Sequence, residues 1–272
     1  WNGFAINLAA FIHNSTDITV LTFLASLKIV SIYSVYCLVS KGIKQLIESC
    51  LSGISHTIGQ AYARKDWKEL NQLDIYEYVV FVLVFSLFTV AALLITPFVL
   101  LYTKGIVDTD YNQPLFGVLL VISEALYLVK LPHLNLAYTA NKFKEITLPA
   151  YIEAILNIVI SVVLVRKFGL IGVAIGTIVG MTYRMIFHVY YTSRIVPERV
   201  QSIFYRKLFL FSVGSVIGFV ICHRMLPFTN ITVESWVIHA VLYCIVIGSI
   251  LLTISMLFFQ NEIKFFVKYI KR

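Results

Sequence analysis

Almost from end to end, the chain is a series of apolar runs of about 20 residues, the length at which an α-helix crosses the hydrocarbon layer of a bilayer. Eight such runs can be counted, over residues 4–26, 30–58, 75–102, 114–139, 147–166, 169–192, 207–227 and 236–259, with short polar connections between them. Inside lipid every backbone N–H and C=O must find its partner within the protein, which leaves helices or closed barrels. The alternating strands of about ten residues that build a barrel are not present in the pattern. Composition agrees, with 59% hydrophobic residues, 13% charged and a mean hydropathy of +0.86. The expected fold class is all-α, a polytopic membrane protein of about eight transmembrane helices.

A surplus of 22 Lys and Arg over 14 Asp and Glu, net +8, would suit nucleic acid if it were clustered. Instead it is divided between the connections. With the second connection placed in the cytoplasm, that side receives Arg64, Lys65, Lys68, Lys142, Lys144, Arg194, Arg199, Arg206, Lys207, Lys264, Lys268, Lys271 and Arg272. The other side receives only Lys28, Lys104, Arg166 and Lys167. This bias puts both termini in the cytoplasm. Cys37, Cys50, Cys222 and Cys244 fall within the spans at no metal-ligand spacing, so they read as packing residues, and no cofactor, metal or nucleic acid is called for. The triplets Asn14-Ser15-Thr16 and Asn230-Ile231-Thr232 carry little weight as glycosylation sites. The start at Trp1, with no cleavable signal ahead of the first span, leads us to expect a fragment with sequence upstream.

Polar residues inside the spans narrow the function. "FIHNSTDITVLTFL", residues 11–24, places Asn14 and Asp17 on one stripe of the first span together with Asn7. In the second span Ser34, Cys37, Lys41, Lys44, Gln45, Glu48, Ser52, Ser55 and His56 lie within roughly 60° of a common line at 100° per residue. Such a face must look at water, charged ligand or another polar helix. If the first two spans turn near residue 28, Asp17 comes level with Lys41, and Asn14 with Lys44. Asp17 then sits about 12–17 Å from the turn, near the middle of the layer. It is either one half of a static ion pair or part of a polar cavity lining.

The same arithmetic on the fifth and sixth spans levels Glu153 with Arg184, a structural ion pair by the rule that intramembrane charges pair. The fourth span holds Glu124, Lys130 and His133 beside Pro132, so its second half is expected to kink, with Lys130 facing a cavity. Gly172, Gly176 and Gly180, at every fourth position, predict close helix approach.

Three blocks in order, "NSTDITVLTFLASLKIVSIYSVY", "PFVLLYTKGIVDTDYNQP" and "NKFKEITLPAYIEAILNIVISVVLVRKFGLIGVAIGTIVGMTYR", resemble the second half of bacterial polysaccharide transporters. These are the O-antigen and capsule flippases of the multidrug/oligosaccharidyl-lipid/polysaccharide exporter superfamily. The resemblance covers residues 1 to about 192 and fades beyond. It implies a second six-helix lobe over 1–192, two added helices with a basic cytoplasmic tail over 193–272, and a missing amino-terminal lobe. It also implies a bacterial cytoplasmic membrane location and a cargo of polyprenyl-diphosphate-linked oligosaccharide, moved by alternating access around a cationic cavity. On that reading Lys41, Lys44, Lys130 and Arg184 are the candidate cations for the diphosphate. Asn14, Asp17, Glu48 and Glu124 are polar cavity residues.

Two other readings stand beside it. In related drug exporters an intramembrane acid takes up H⁺ or Na⁺, and Asp17 is the candidate for that role. Asp108 and Asp110 in "VDTDY" offer the acidic pair a membrane glycosyltransferase uses to hold metal and diphosphate, although a solvated turn explains them as well. No nucleophile arrangement or phosphate loop accompanies them, so the expectation is a protein that is not an enzyme. "ARKDWKELNQLD" and "NEIKFFVKYIKR" have the spacing of helices lying on an anionic surface, inserting Trp67, Phe265 and Phe266.

Overall fold

The computed structural model describes residues 2–63, 72–196 and 199–264. Among them every regular element is an α-helix: α1 (Asn2–Leu24), α2 (Leu27–Ala63), α3 (Gln72–Tyr102), α4 (Pro114–Val129), α5 (Leu131–Thr139), α6 (Phe143–Phe168), α7 (Leu170–Ile195), α8 (Gln201–Met225) and α9 (Val233–Phe258). Seven of the eight apolar runs each coincide with one helix to within two residues of its ends or lie inside it, and the run over 114–139 covers α4 and α5 together. Among the described residues six stretches are both long and apolar enough to span a bilayer: Leu73–Tyr102, Pro114–Thr139, Phe143–Phe168, Leu170–Ile195, Gln201–Met225 and Val233–Phe258. They mark a multi-pass membrane protein. α2 is not among the six because its polar stripe dilutes its hydropathy, although at 37 residues it is about 55 Å long. In α1 the apolar portion found is Ser15–Leu24. Arg64, Lys65, Lys68, Lys268, Lys271, Arg272, Trp67, Phe265 and Phe266, and the side chains of Asn7, Asn14, Ser55 and His56, lie outside the described residues.

The fourth run does not merely bend; it divides at Lys130. Pro132 has no N–H to offer Leu128, and its ring crowds the preceding turn. The chain restarts with His133 N and Leu134 N both bonding the Lys130 carbonyl, at 3.1 and 3.0 Å.

α6 and α7 form the closest hairpin, and the glycines say why. The single connecting residue, Gly169, has φ +53, a backbone region open to glycine at little cost. One turn on, a methyl added at Gly172 would lie 2.6 Å from the backbone carbonyl carbon of Leu164. At Gly176 it would collide with Ser161 Oγ, and at Gly180 it would lie 3.1 Å from the Glu153 carbonyl oxygen. Backbone cannot step aside as a side chain can, so Gly172→Ala is expected to destabilise by about 1–3 kcal/mol. A melting curve of the purified protein checks this, and an unchanged midpoint would mean the hairpin tolerates separation.

α3 is the hub, packing on α2, α4, α8 and α9. Phe81 meets Phe204 and Phe211 of α8 at ring distances of 5.4 and 5.7 Å, and Phe211 stacks on Phe259 at 5.6 Å. At the other end Trp236 Nε1 donates to the Leu94 carbonyl at 3.2 Å. Thr232, the last residue of the second glycosylation-type triplet, caps α9 by accepting from Ser235 N. α1 lies mainly against α6, and α4 against α3 and α7. Polar side chains of α1, α2, α4, α6 and α7 therefore meet inside the bundle.

Candidate functional site

Asp17, 6% exposed, is the centre of the first polar group. Tyr33 Oη donates to its Oδ2 at 3.0 Å, and Asn157 Nδ2 to its Oδ1 at 3.2 Å. Thr177 Oγ1 stands 2.9 Å from Oδ2 and 3.1 Å from the Val173 carbonyl, with one proton to share between them. Ser161 Oγ donates to Asn157 Oδ1 at 2.9 Å. Helical spacing arranges this group, since Asn157 and Ser161 are one turn apart on α6, and Val173 and Thr177 one turn apart on α7. The hydrogen bonds from Tyr33, Asn157 and Thr177 come from neutral donors and offset part of the cost of burying the carboxylate. Six residues, counting the Val173 carbonyl, thus contribute oxygen to one knot, the ligand type that hard cations take. No cluster of three or more His, Cys, Asp or Glu suited to a transition metal occurs among the described residues.

Beside Asp17 lies a cavity of about 30 Å³, walled also by Tyr33, Lys41, Glu124, Tyr127 and Thr177. That is room for one or two waters. Lys41, levelled with Asp17 by hairpin arithmetic, shares this cavity and is otherwise exposed. Lys44, levelled with Asn14 by the same arithmetic, turns to α4: its Nζ pairs with Glu124 Oε2 at 3.0 Å and lies 3.5 Å from the Tyr127 ring centre. The remainder of the α2 stripe is open: Ser34, Gln45 and Ser52 are exposed, Glu48 is half-buried, and Cys37 is turned inward.

Lys130, at the α4–α5 break, is fully buried. Its Nζ lies 3.1 Å from Met181 Sδ and 4.4 Å from the centre of the Tyr127 ring that also carries Lys44. Arg184 is closed on Glu153, Nη1 to Oε2, at 2.7 Å. Neither residue is on the cavity wall. On the surface, Asp110 Oδ1 accepts from Asn112 N at 2.9 Å, which makes it part of the turn before α4, and Asp108 is exposed.

A second buried cluster escaped the sequence reading. Glu77 on α3 is fully buried and accepts from Arg199. Lys207 Nζ is 3.4 Å from its Oε2, and His133 Nε2 is 2.9 Å from its Oε1, a close electrostatic contact rather than an aligned hydrogen bond. Asp74 adds a second carboxylate, 3.1 Å from Arg199 and 3.5 Å from Lys207. Glu262 stands 4.0 Å from Lys207. The available signal was "LDIYE", two acids three apart at the head of an apolar run. In the sequence Arg199 and Lys207 read only as orientation signals.

No protein-family model matches the chain, and neither does any curated protein or solved structure, so the function must be argued from this geometry.

Proposed function

We propose that the chain belongs to a lipid-linked oligosaccharide flippase of the polysaccharide exporter type, moving polyprenyl-diphosphate-bound sugar across a bacterial cytoplasmic membrane. The observation that carries this reading is the open polar stripe of α2, with Lys41 exposed beside the Asp17 cavity. A lysine and several hydroxyl and amide groups at membrane depth need a wet or charged neighbour. The cavity admits only water, so the diphosphate is read along the open side of α2, where Lys41 and Lys44 compensate its charge. Lys130 meets the same Tyr127 ring as Lys44 but is fully buried. In this reading eight helices cross the membrane, six forming a lobe over 1–192 and two added over 193–272, with both termini in the cytoplasm. A facing lobe supplies the other wall. Arg184 is held by Glu153 and takes a structural role, and no enzymatic step is required.

The Asp17 knot supports a second element, coupling to Na⁺ or H⁺. Its oxygens join α1 to the α6–α7 hairpin, so taking up a cation there would alter how these helices hold together. The same knot would serve a cation-coupled drug exporter, and it favours that reading over the glycosyltransferase, whose Asp110 is committed to a turn. Asp17→Asn is expected to keep the fold, because an amide retains hydrogen bonding, and to cut ion-driven transport at least tenfold. Uptake into vesicles under imposed Na⁺ or proton gradients measures this, and full gradient-driven transport by the variant would reject the coupling role. Accumulation of lipid-linked sugar in the inner leaflet after removal of the protein tests the flippase itself. Dye extrusion without such accumulation would give the drug exporter instead.

A further inference from the structure

α5 is a short element with attachments at both ends. At its start, Lys130 enters the region of Tyr127 and Met181, both on the wall of the Asp17 cavity. One turn on, about 4.5 Å along the axis, His133 enters the Glu77 cluster and also meets Thr192 Oγ1 of α7 at 2.9 Å through Nδ1. Asn135 Nδ2 donates to Tyr76 Oη of α3 at 3.0 Å. On the α4 side, by contrast, the helix is interrupted at Lys130, because Pro132 removes the backbone bond that would have carried α4 onward. The polar side chains of α5 thus bind it to α3 and α7, while its covalent neighbour α4 is joined to it through a break.

From this we infer that α5 is a rigid rod hinged at Lys130, through which the state of the Glu77 cluster sets the position of the Lys130 ammonium beside the cavity. Glu77 is where the rod is held. Its carboxylate gathers Arg199, Lys207 of α8 and His133, so a rearrangement of α8 against α3 changes the attraction on His133 and turns α5 about the break. The ammonium lies on the hinge side of the rod, in contact with a thioether and a ring face rather than anchored by a carboxylate. Such contacts are soft and allow it to move. For the transport reading, on which this consequence alone rests, the cluster would advance a cation toward cargo or withdraw it as the bundle changes state.

The test does not need transport. The full chain in lipid nanodiscs is treated with a small amine-reactive acylating reagent, and modification at Lys130 is followed by mass spectrometry, with Lys142, whose side chain is 42% exposed, as the internal reference. Glu77→Gln is expected to raise the rate at Lys130 at least tenfold while the rate at Lys142 stays within twofold. Adding Pro132→Ala, which makes α4 and α5 continuous, is expected to bring the rate back to within threefold of the wild type. Should Glu77→Gln fail to give monodisperse protein, Thr192→Val releases His133 from α7 and is read in the same way. An unchanged Lys130 rate in the folded variant overturns the rod. So does a rate that stays elevated when Pro132→Ala is added, since that would mean general loosening rather than motion about the hinge.

Discussion

Glu77→Ala is expected to cost about 3–5 kcal/mol, the loss that follows when one member of a buried ionic group is removed and its partners stay behind. The partners here are Lys207, which is fully buried, Arg199 and, when protonated, His133. Asp74 compensates only in part because it sits at the edge of the cluster, about a third exposed. Removing the charges together should hurt less than removing Glu77 alone. A variant with Glu77→Leu and Lys207→Met keeps the volume and leaves Asp74 for Arg199, so it is expected to recover more than half of the loss. Thermal unfolding of detergent-solubilised protein, followed by size-exclusion chromatography, measures both. If Glu77→Ala melts with the wild type, the cluster adds nothing to the hold of α8 on α3.

Lys41→Ala with Lys44→Ala is expected to reduce polysaccharide export to background in the complete transporter, with protein still present in the membrane. The two substitutions compound one another. The first deletes the exposed cation beside the cavity. The second deletes a cation and also frees Glu124, held by Lys44 at 3.0 Å, so that an anionic cargo meets a negative wall. Like charges at a few ångströms in a medium of low dielectric repel strongly. Lys44→Ala with Glu124→Ala leaves the local charge balanced and should retain more export than Lys44→Ala alone. Lipid-linked sugar in the inner leaflet reports the block, and normal export by the first double variant would reject the role of both lysines.

The difference between what could be read in the chain and what could not has a physical origin. Apolar run length marks where helices lie, so the runs match helices to within two residues at their ends, and Pro132 pointed to a kink where the fourth run in fact divides. Arithmetic along a hairpin fixes relative depth, and it placed Glu153 beside Arg184 and brought Asp17 to the cavity that Lys41 lines. It says nothing of rotation or of helices distant in sequence. Asn157 and Thr177 reach Asp17 from 140 and 160 positions away, and Arg199 and Lys207 reach Glu77 from 122 and 130. For the same reason Lys44 found Glu124 on α4, a helix the hairpin rule did not include. The cluster around Glu77 was hidden further because Arg199 lies outside the apolar runs and Lys207 at the first position of the seventh, where a basic residue is ordinarily an orientation signal.

The central claim is that the polar side of α2 borders water inside the membrane, and thiol accessibility tests it most directly. With the native cysteines removed, single cysteines at Ser34, Lys41, Gln45 and Ser52 are treated in intact membranes with a charged, membrane-impermeant methanethiosulfonate, beside Val163 on the exposed apolar side of α6 as the lipid control. The account requires the four α2 positions to react at least tenfold faster than the control, and an anionic reagent to react faster than a cationic one at Gln45, next to Lys41 and Lys44. Four positions as inert as Val163 would place the stripe against acyl chains or in a dry contact, and there would be no path for an anionic cargo along α2.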